Sequence, residues 1–216
     1  MGTATSRRAL AAAAVALGCA ACGGASHGSS GGGHASGHRS SASAGHTVTS
    51  RQASAPAGPF AWLHPQAPPS GWRIVRIPTG AELPYPPRWR LVAGDRGTAT
   101  ATLLGTHGEY LGYLNLTPRQ GNETLAGWPS FRPAHNADEG DRHVRRLASG
   151  TGLRFRSGQG SCVQDGYTTI TGARFVEIAC LVQGPTGSSV IVAAAPPNRW
   201  PSTSPLLERA IDGFTT

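Results

Sequence analysis

The feature that most constrains this chain is a pair of cysteines, Cys162 and Cys180, on two β-forming runs either side of Ile170-Thr171-Gly172. Pairing Cys162–Thr169 with Arg174–Val182 as an antiparallel hairpin about that turn puts the cysteines directly opposite each other, where they can bond. The same register sets Tyr167 against Phe175, a favourable cross-strand aromatic contact, and Asp165 against Glu177, an unfavourable one. A β-bulge near Gly166 is therefore expected, to draw the carboxylates apart. A disulfide closing a loop of about 17 residues stabilises such a fold by roughly 3 kcal/mol on chain-entropy grounds.

The neighbouring sequence extends the sheet. Gly184-Pro185-Thr186-Gly187 makes a turn, and Val190 to Ala195 is apolar at every position, which predicts a central strand covered on both faces. Further upstream, Trp72–Ile77 is a short β-rich run closed by Pro78, and Leu83–Val92 is a proline-stiffened approach to a strand. Thr98–Leu104 alternates threonine with Ala99, Ala101 and Leu103, the period of a half-buried strand, and Tyr110–Leu116 follows as the next. Leu153–Arg156 is a further short strand. Two helices are predicted besides a helical turn at Glu123–Trp128. Asp138 caps one, with Asp141 inside it and Arg145 and Arg146 in its last turns before Gly150. The other starts with Ser204 as N-cap and Pro205 in the first turn, and carries Leu207, Ala210, Ile211 and Phe214 at helical spacing.

The amino end places the protein. Ser6-Arg7-Arg8 precedes a short apolar run that ends in small residues and cysteine, too short to span a bilayer. It resembles a bacterial lipoprotein signal, and Ser6-Arg7-Arg8-Ala9-Leu10 also resembles a twin-arginine export signal, so export by the Sec or the twin-arginine route is expected. Cleavage before Cys22 puts the lipid on Cys22, discards Cys19 and leaves Cys162 and Cys180 as an even pair for an oxidising compartment. Cys19 is the alternative lipid site, and an ordinary signal peptide releasing a soluble protein is the alternative to both. The expected organisation is a signal peptide over 1–21, a lipid-anchored disordered tether over 22–59 and one globular domain over 60–216. The tether is Gly, Ser, Ala, His and Thr with hardly a large apolar group, too little to offset its ordering entropy.

Charge and composition limit the partners. The chain has no lysine among its 19 basic residues and is rich in Ala, Gly and Pro, the coding bias of a GC-rich genome such as that of an actinobacterium. The formal charge of +8, less Arg7 and Arg8 with the signal, leaves +6 on the mature chain. A positive domain beside a membrane is drawn to anionic headgroups and to acidic wall polymers. Nucleic acid is not an expected partner outside the cell.

Catalytic patterns fail on inspection. The domain histidines His64, His107, His135 and His143 all precede Cys162, the reverse of the order in the wall cysteine peptidases. Gly160 stands where the peptidoglycan-crosslinking cysteine transpeptidases carry a histidine. Gly160-Ser161-Cys162 lacks the second glycine of a nucleophile elbow, and Gly158-Gln159-Gly160 has no strand-turn-helix setting for a phosphate loop. Asp138, Glu139 and Asp141 read as a solvated helix start rather than a cation site. Trp72, Trp89, Trp128 and Trp200 read as core rather than a ligand groove. His27, His34, His38 and His46 in the tether are candidate metal ligands, but irregularly spaced and without a second shell. No cofactor is expected.

The order of elements from Trp72 to Phe214 is similar to the PsbP-like α/β/α fold of photosystem extrinsic proteins and small bacterial lipoproteins. The residues that carry the likeness are Leu83-Pro84-Tyr85-Pro86-Pro87-Arg88-Trp89, the hairpin segments Gly97–Leu104 and Gly112-Tyr113-Leu114-Asn115, and the strand ending Ala194-Ala195-Pro196 before a final helix. The resemblance implies an α+β domain, a single antiparallel sheet flanked by helices, with a non-catalytic role in binding or assembly. The expectation is a lipoprotein on the outer face of the cytoplasmic membrane whose partners are the bilayer and an envelope protein or glycan. An envelope hydrolase and a metal-handling lipoprotein are the alternatives.

Overall fold

The computed structural model describes residues 58–216; the signal segment, Cys19, Cys22 and the tether histidines lie outside the described residues. A two-stranded ladder comes first, β1 (Arg73–Arg76) with β2 (Glu82–Tyr85). Seven antiparallel strands follow: β3 (Arg90–Val92), β4 (Ala99–Leu104), β5 (Tyr110–Pro118), β6 (Arg142–Arg154), β7 (Gln159–Thr168), β8 (Arg174–Gly184) and β9 (Gly187–Ala195). Their order across the sheet is β3-β4-β5-β9-β8-β7-β6. Helix α1 (Trp128–Asp138) lies in the crossover from β5 to the far edge, and α2 (Trp200–Gly213) follows β9.

The all-apolar run is central, as its composition requires. Alternate residues of β9 go to opposite sides: Ile191, Ala193 and Ala195 join the core with Leu207, Ala210, Ile211 and Phe214 of the α2 region, while Val190 and Val192 pack with Trp128 of α1. The molecule is thus an α/β/α sandwich with one helix per face. The larger core also takes in Phe60, Leu63, Leu83, Tyr85 and Trp89, so the β1–β2 ladder and the segment before it close the α2 side. Asp212 holds that segment in place, its Oδ1 accepting from the backbone N–H of His64 at 2.7 Å. Trp89 and Trp128 are both buried, on opposite faces, while Trp72 and Trp200 pack at the margin of the larger core. The four tryptophans line no common groove.

Four expectations are corrected. The sheet is not single, because β1 and β2 form their own ladder. Asp138 ends a helix rather than starting one, and Arg142–Arg154 is a strand. Pro129 starts the helix early, and Gly140 at φ 94° stops it, with the Asp141 N–H bonded back to the Asn136 carbonyl at 3.0 Å in a glycine-closed C-terminus. The last helix begins at Trp200, with Pro201 in its first turn and Pro205 inside it, so Ser204 is no cap. Its predicted apolar stripe is nonetheless the one that is buried. Finally, β7 and β8 pair without a break from Gln159 to Thr168, and Gly166 carries no bulge. On this side of the sheet the irregularities fall in β6, at Arg142/Arg145, Arg146/Ala148 and Gly150/Leu153.

Candidate functional site

The unbroken β7–β8 register leaves Asp165 facing Glu177, and both are at 0% exposure. The charge problem is solved from above. Arg132, reaching down from α1, donates from Nε to Glu177 Oε1 at 2.7 Å and from Nη2 to Oε2 at 3.1 Å, a bidentate ion pair. Asn136, one turn on, places its Nδ2 3.3 Å from Glu177 Oε1 and 3.3 Å from Asp165 Oδ2. From the other side Tyr167 donates its hydroxyl to Glu177 Oε2 at 3.1 Å, and the hydroxyls of Tyr113 and Tyr167 lie 2.9 Å apart.

The two carboxyls are driven to opposite protonation states. Burial pushes Glu177 up, but the charge and hydrogen bonds of Arg132, with those of Asn136 and Tyr167, outweigh it and hold the group below its usual range. Asp165 has no cation of its own. Burial, reinforced by the neighbouring Glu177 charge, pushes it up to about 8. The two carboxyls are thus shifted in opposite directions about a single guanidinium, Glu177 toward the charged form and Asp165 toward the protonated one. Asp141, at the foot of α1, is raised to about 6 by burial and by the charges of Glu177 and Glu139. Tyr113 and Tyr167 are likewise raised, by burial and then by Glu177.

Two openings flank this cluster without reaching its carboxyls. One, of about 190 Å³, lies between Arg119, Glu123 and Gln183. The other, of about 660 Å³, lies at the β7–β8 turn end of the sheet among His143, Arg145, Leu147, Gly166 and Arg174, with Tyr167 on its border. Neither is lined by Asp165 or Glu177.

Of the residues singled out from sequence, Cys162 and Cys180 are bonded, with Cα atoms 4.1 Å apart, at the paired position the register predicts. The described histidines are dispersed: His64 by Asp212, His107 in the β4–β5 turn, His135 stacked on Phe131 at 5.3 Å, and His143 on β6. Among the described residues no group of three or more His, Cys, Asp or Glu side chains is placed to hold a metal. Gly158 and Gly160 have a packing reason: a Cβ on Gly160 would stand 2.5 Å from the Phe155 ring, and one on Gly158 2.0 Å from the Gln183 carbonyl. The ionic cluster was not predicted. Its one signal was the Asp165–Glu177 clash, which called for a cation from elsewhere in the chain as much as for a bulge.

The fold and the site together define a disulfide-pinned antiparallel α/β/α sandwich with a buried ionic cluster under one helix. Solved structures similar to it include a cyanobacterial PsbP from Synechocystis, at 14% identity over 67% of this chain and 92% of that one, TM-score 0.47. PA94 of Pseudomonas aeruginosa, a protein of unknown function, matches at 12% identity over 67% and 96%, TM-score 0.45. LpqN of Mycobacterium tuberculosis, described as involved in cell envelope biogenesis, matches at 16% identity over 67% and 91%, TM-score 0.38. No family model matches the chain, and no curated protein matches it in sequence.

Proposed function

We propose that this protein is a non-catalytic binding or assembly module of the cell envelope, an actinobacterial-type lipoprotein held at the outer face of the cytoplasmic membrane by a lipid on Cys22. The observation that carries the non-catalytic reading is the fate of the convergent carboxylates. A hydrolase that works with paired carboxyls needs them at the wall of a cleft, where substrate can reach both. Here Asp165 and Glu177 converge but are sealed beneath α1: Glu177 is bonded by Arg132, Asn136 and Tyr167, while Asp165 is bonded by Asn136 through Oδ2 and its Oδ1 is buried without a partner among the described residues. Binding surface, by contrast, is plentiful: β6 is an edge strand of 13 residues with exposed Arg142, Arg145 and Arg146. Anchoring draws its support from the Ser6–Cys22 sequence and from the even cysteine pair that remains after cleavage.

The test is mass spectrometry of the protein from its native membrane, together with capture of envelope proteins and glycans. A diacylglyceryl thioether on Cys22 and release of Cys22→Ala into the medium are expected. An unmodified amino terminus on protein free in the medium would overturn the anchor. Glycan or peptide hydrolysis by the purified protein would overturn the non-catalytic reading.

A further inference from the structure

The end of the sheet at the β7–β8 turn carries the groove of about 660 Å³. At its floor is Gly166, paired with Arg145 of β6 on one side and Val176 of β8 on the other. The backbone does not demand glycine there: Gly166 is not among the positive-φ residues, and a Cβ would meet nothing nearer than 3.6 Å. What glycine does at this position is keep the floor open. The walls are of two kinds. Arg145, Arg174 and His143 are basic, while Leu147, 42% exposed, and Val176 are apolar. No acidic residue lines the groove, and among the described residues neither Arg145 nor Arg174 joins an ion pair. No Asp or Glu precedes Glu82 in the chain, so the residues before 58 supply no carboxylate either.

The backbone at the mouth is also unusual. His143, at φ 56°, is the one non-glycine residue with a left-handed backbone among the described residues, and it falls in the irregularity between Arg142 and Arg145. Irregularities of this kind in an edge strand re-aim side chains, and strained backbone concentrates where a ligand is held.

We propose that this groove seats the phosphodiester headgroup of an anionic phospholipid, with Arg145 and Arg174 on the phosphate and Leu147 and Val176 against the apolar part that follows. Charge complementarity selects an anion, and guanidinium groups suit phosphate oxygens. The apolar wall selects a lipid over a free phosphate, which has nothing to bury there. The membrane itself comes from the anchoring reading above. The 36 positions from Cys22 to Gly58 span at most roughly 130 Å even fully extended, which bounds how far the domain stands from the surface that anchors Cys22.

The experiment uses the full chain with Cys19→Ser and Cys22→Ser, so that no acyl group contributes, and measures binding to phosphatidylcholine vesicles with and without 30% phosphatidylglycerol. The signal's apolar run binds either vesicle, so the reading is the gain on adding phosphatidylglycerol. Arg145→Gln with Arg174→Gln is expected to lower that gain about thirtyfold, each arginine near an anionic surface contributing about 1 kcal/mol. Gly166→Val, which fills the floor with no change of charge, is expected to lower it about tenfold. The control is Arg90→Gln with Arg96→Gln, both exposed, on β3 and in the turn after it, four to six strand spacings or about 19–29 Å from the groove's strands, beyond the screening length. It is expected to change the gain less than threefold.

Absence of any gain, an equal loss in the control, or full binding by Gly166→Val would each overturn the proposal. So would displacement by millimolar inorganic phosphate as effective as that by short-chain phosphatidylglycerol, since that assigns the groove to a soluble anion. Because the chain tested is unacylated, a negative result here leaves the lipid on Cys22 standing, and an unmodified Cys22 leaves the vesicle result standing.

Discussion

The two faces of the central sheet are filled by different physics. Under α2 the contacts are hydrophobic: Leu207, Ala210, Ile211 and Phe214 are fully buried against Ile178, Ile191, Ala193 and the disulfide. Under α1 the apolar patch around Trp128, Val163, Ala179 and Leu181 covers only part of the sheet, and the rest is ionic, built on Arg132, Glu177, Asp165 and Asn136. A hydrophobic face tolerates exchange of one apolar residue for another of like volume. An ionic face does not, because removal of either partner leaves the other charged and dry.

The sharpest way to break the comparison follows from that asymmetry. Arg132→Met removes the only guanidinium paired with Glu177 among the described residues and is expected to cost 3–5 kcal/mol by urea unfolding, the usual penalty for stranding a buried charge. Arg132→Met with Glu177→Leu removes both charges and is expected to recover most of the loss. Equal instability of the double variant would mean that the α1 face depends on something other than the charge pair. On the opposite face, Cys162→Ala with Cys180→Ala is expected to cost about 3 kcal/mol through the entropy returned to the unfolded chain, and the reduced wild type should match it.

The third test uses pH, which reaches the ionic face through Asp165. With Asp165 near 8 when folded and near 3.9 when unfolded, the native state holds one more proton than the unfolded state between those values. Stability therefore falls as pH rises through this window, by up to about 1.4 kcal/mol per pH unit, and is lowest above pH 8. Asp141, raised to about 6, adds the same sign below that pH, and Asp212 and Glu208 of α2, also raised by burial, share that sign, so Asp165 is isolated by the difference between the wild type and Asp165→Asn. Asp165→Asn is expected to flatten thermal stability across pH 6–8 and to exceed the wild type at pH 8. Parallel curves for the two proteins would remove Asp165 from the account.

The same contrast explains how far the sequence could be read. The α2 face is local and periodic: the apolar run of β9, the stripe from Leu207 to Phe214 and the cysteine register all follow from spacing within a single segment or hairpin, and all are found. The α1 face depends on a meeting between residues some 45 positions apart, Arg132 and Glu177, which no local period announces. The acid-first, base-last charge order from Asp138 to Arg146 favours a helix that would take in the start of Arg142–Arg154. The strand wins because β7 offers it an edge and Gly140 has already ended α1. The groove was illegible for a related reason: Gly166, Arg145 and Arg174 belong to three strands and become neighbours only once those strands pair.

The smallest expected effect probes the rim of the ionic face. Tyr113 touches the cluster only through Tyr167, hydroxyl to hydroxyl at 2.9 Å, while Tyr167 bonds Glu177 directly. Tyr113→Phe keeps the ring stacked edge-on to Phe175, 5.7 Å between centroids, and removes one hydrogen bond, an expected cost of about 0.5–1.5 kcal/mol. Tyr167→Phe takes away a hydrogen bond to a buried carboxylate and should cost more, about 1.5–3 kcal/mol. The ratio matters more than either value. If the network acts as a chain ending on Glu177, the Tyr113 variant should lose most of its effect in the Arg132→Met, Glu177→Leu background, where no anion remains to polarise the hydroxyls. An undiminished cost there would mean that the Tyr113–Tyr167 hydrogen bond stands independently of the anion, and would move the boundary of the ionic face inward to Tyr167.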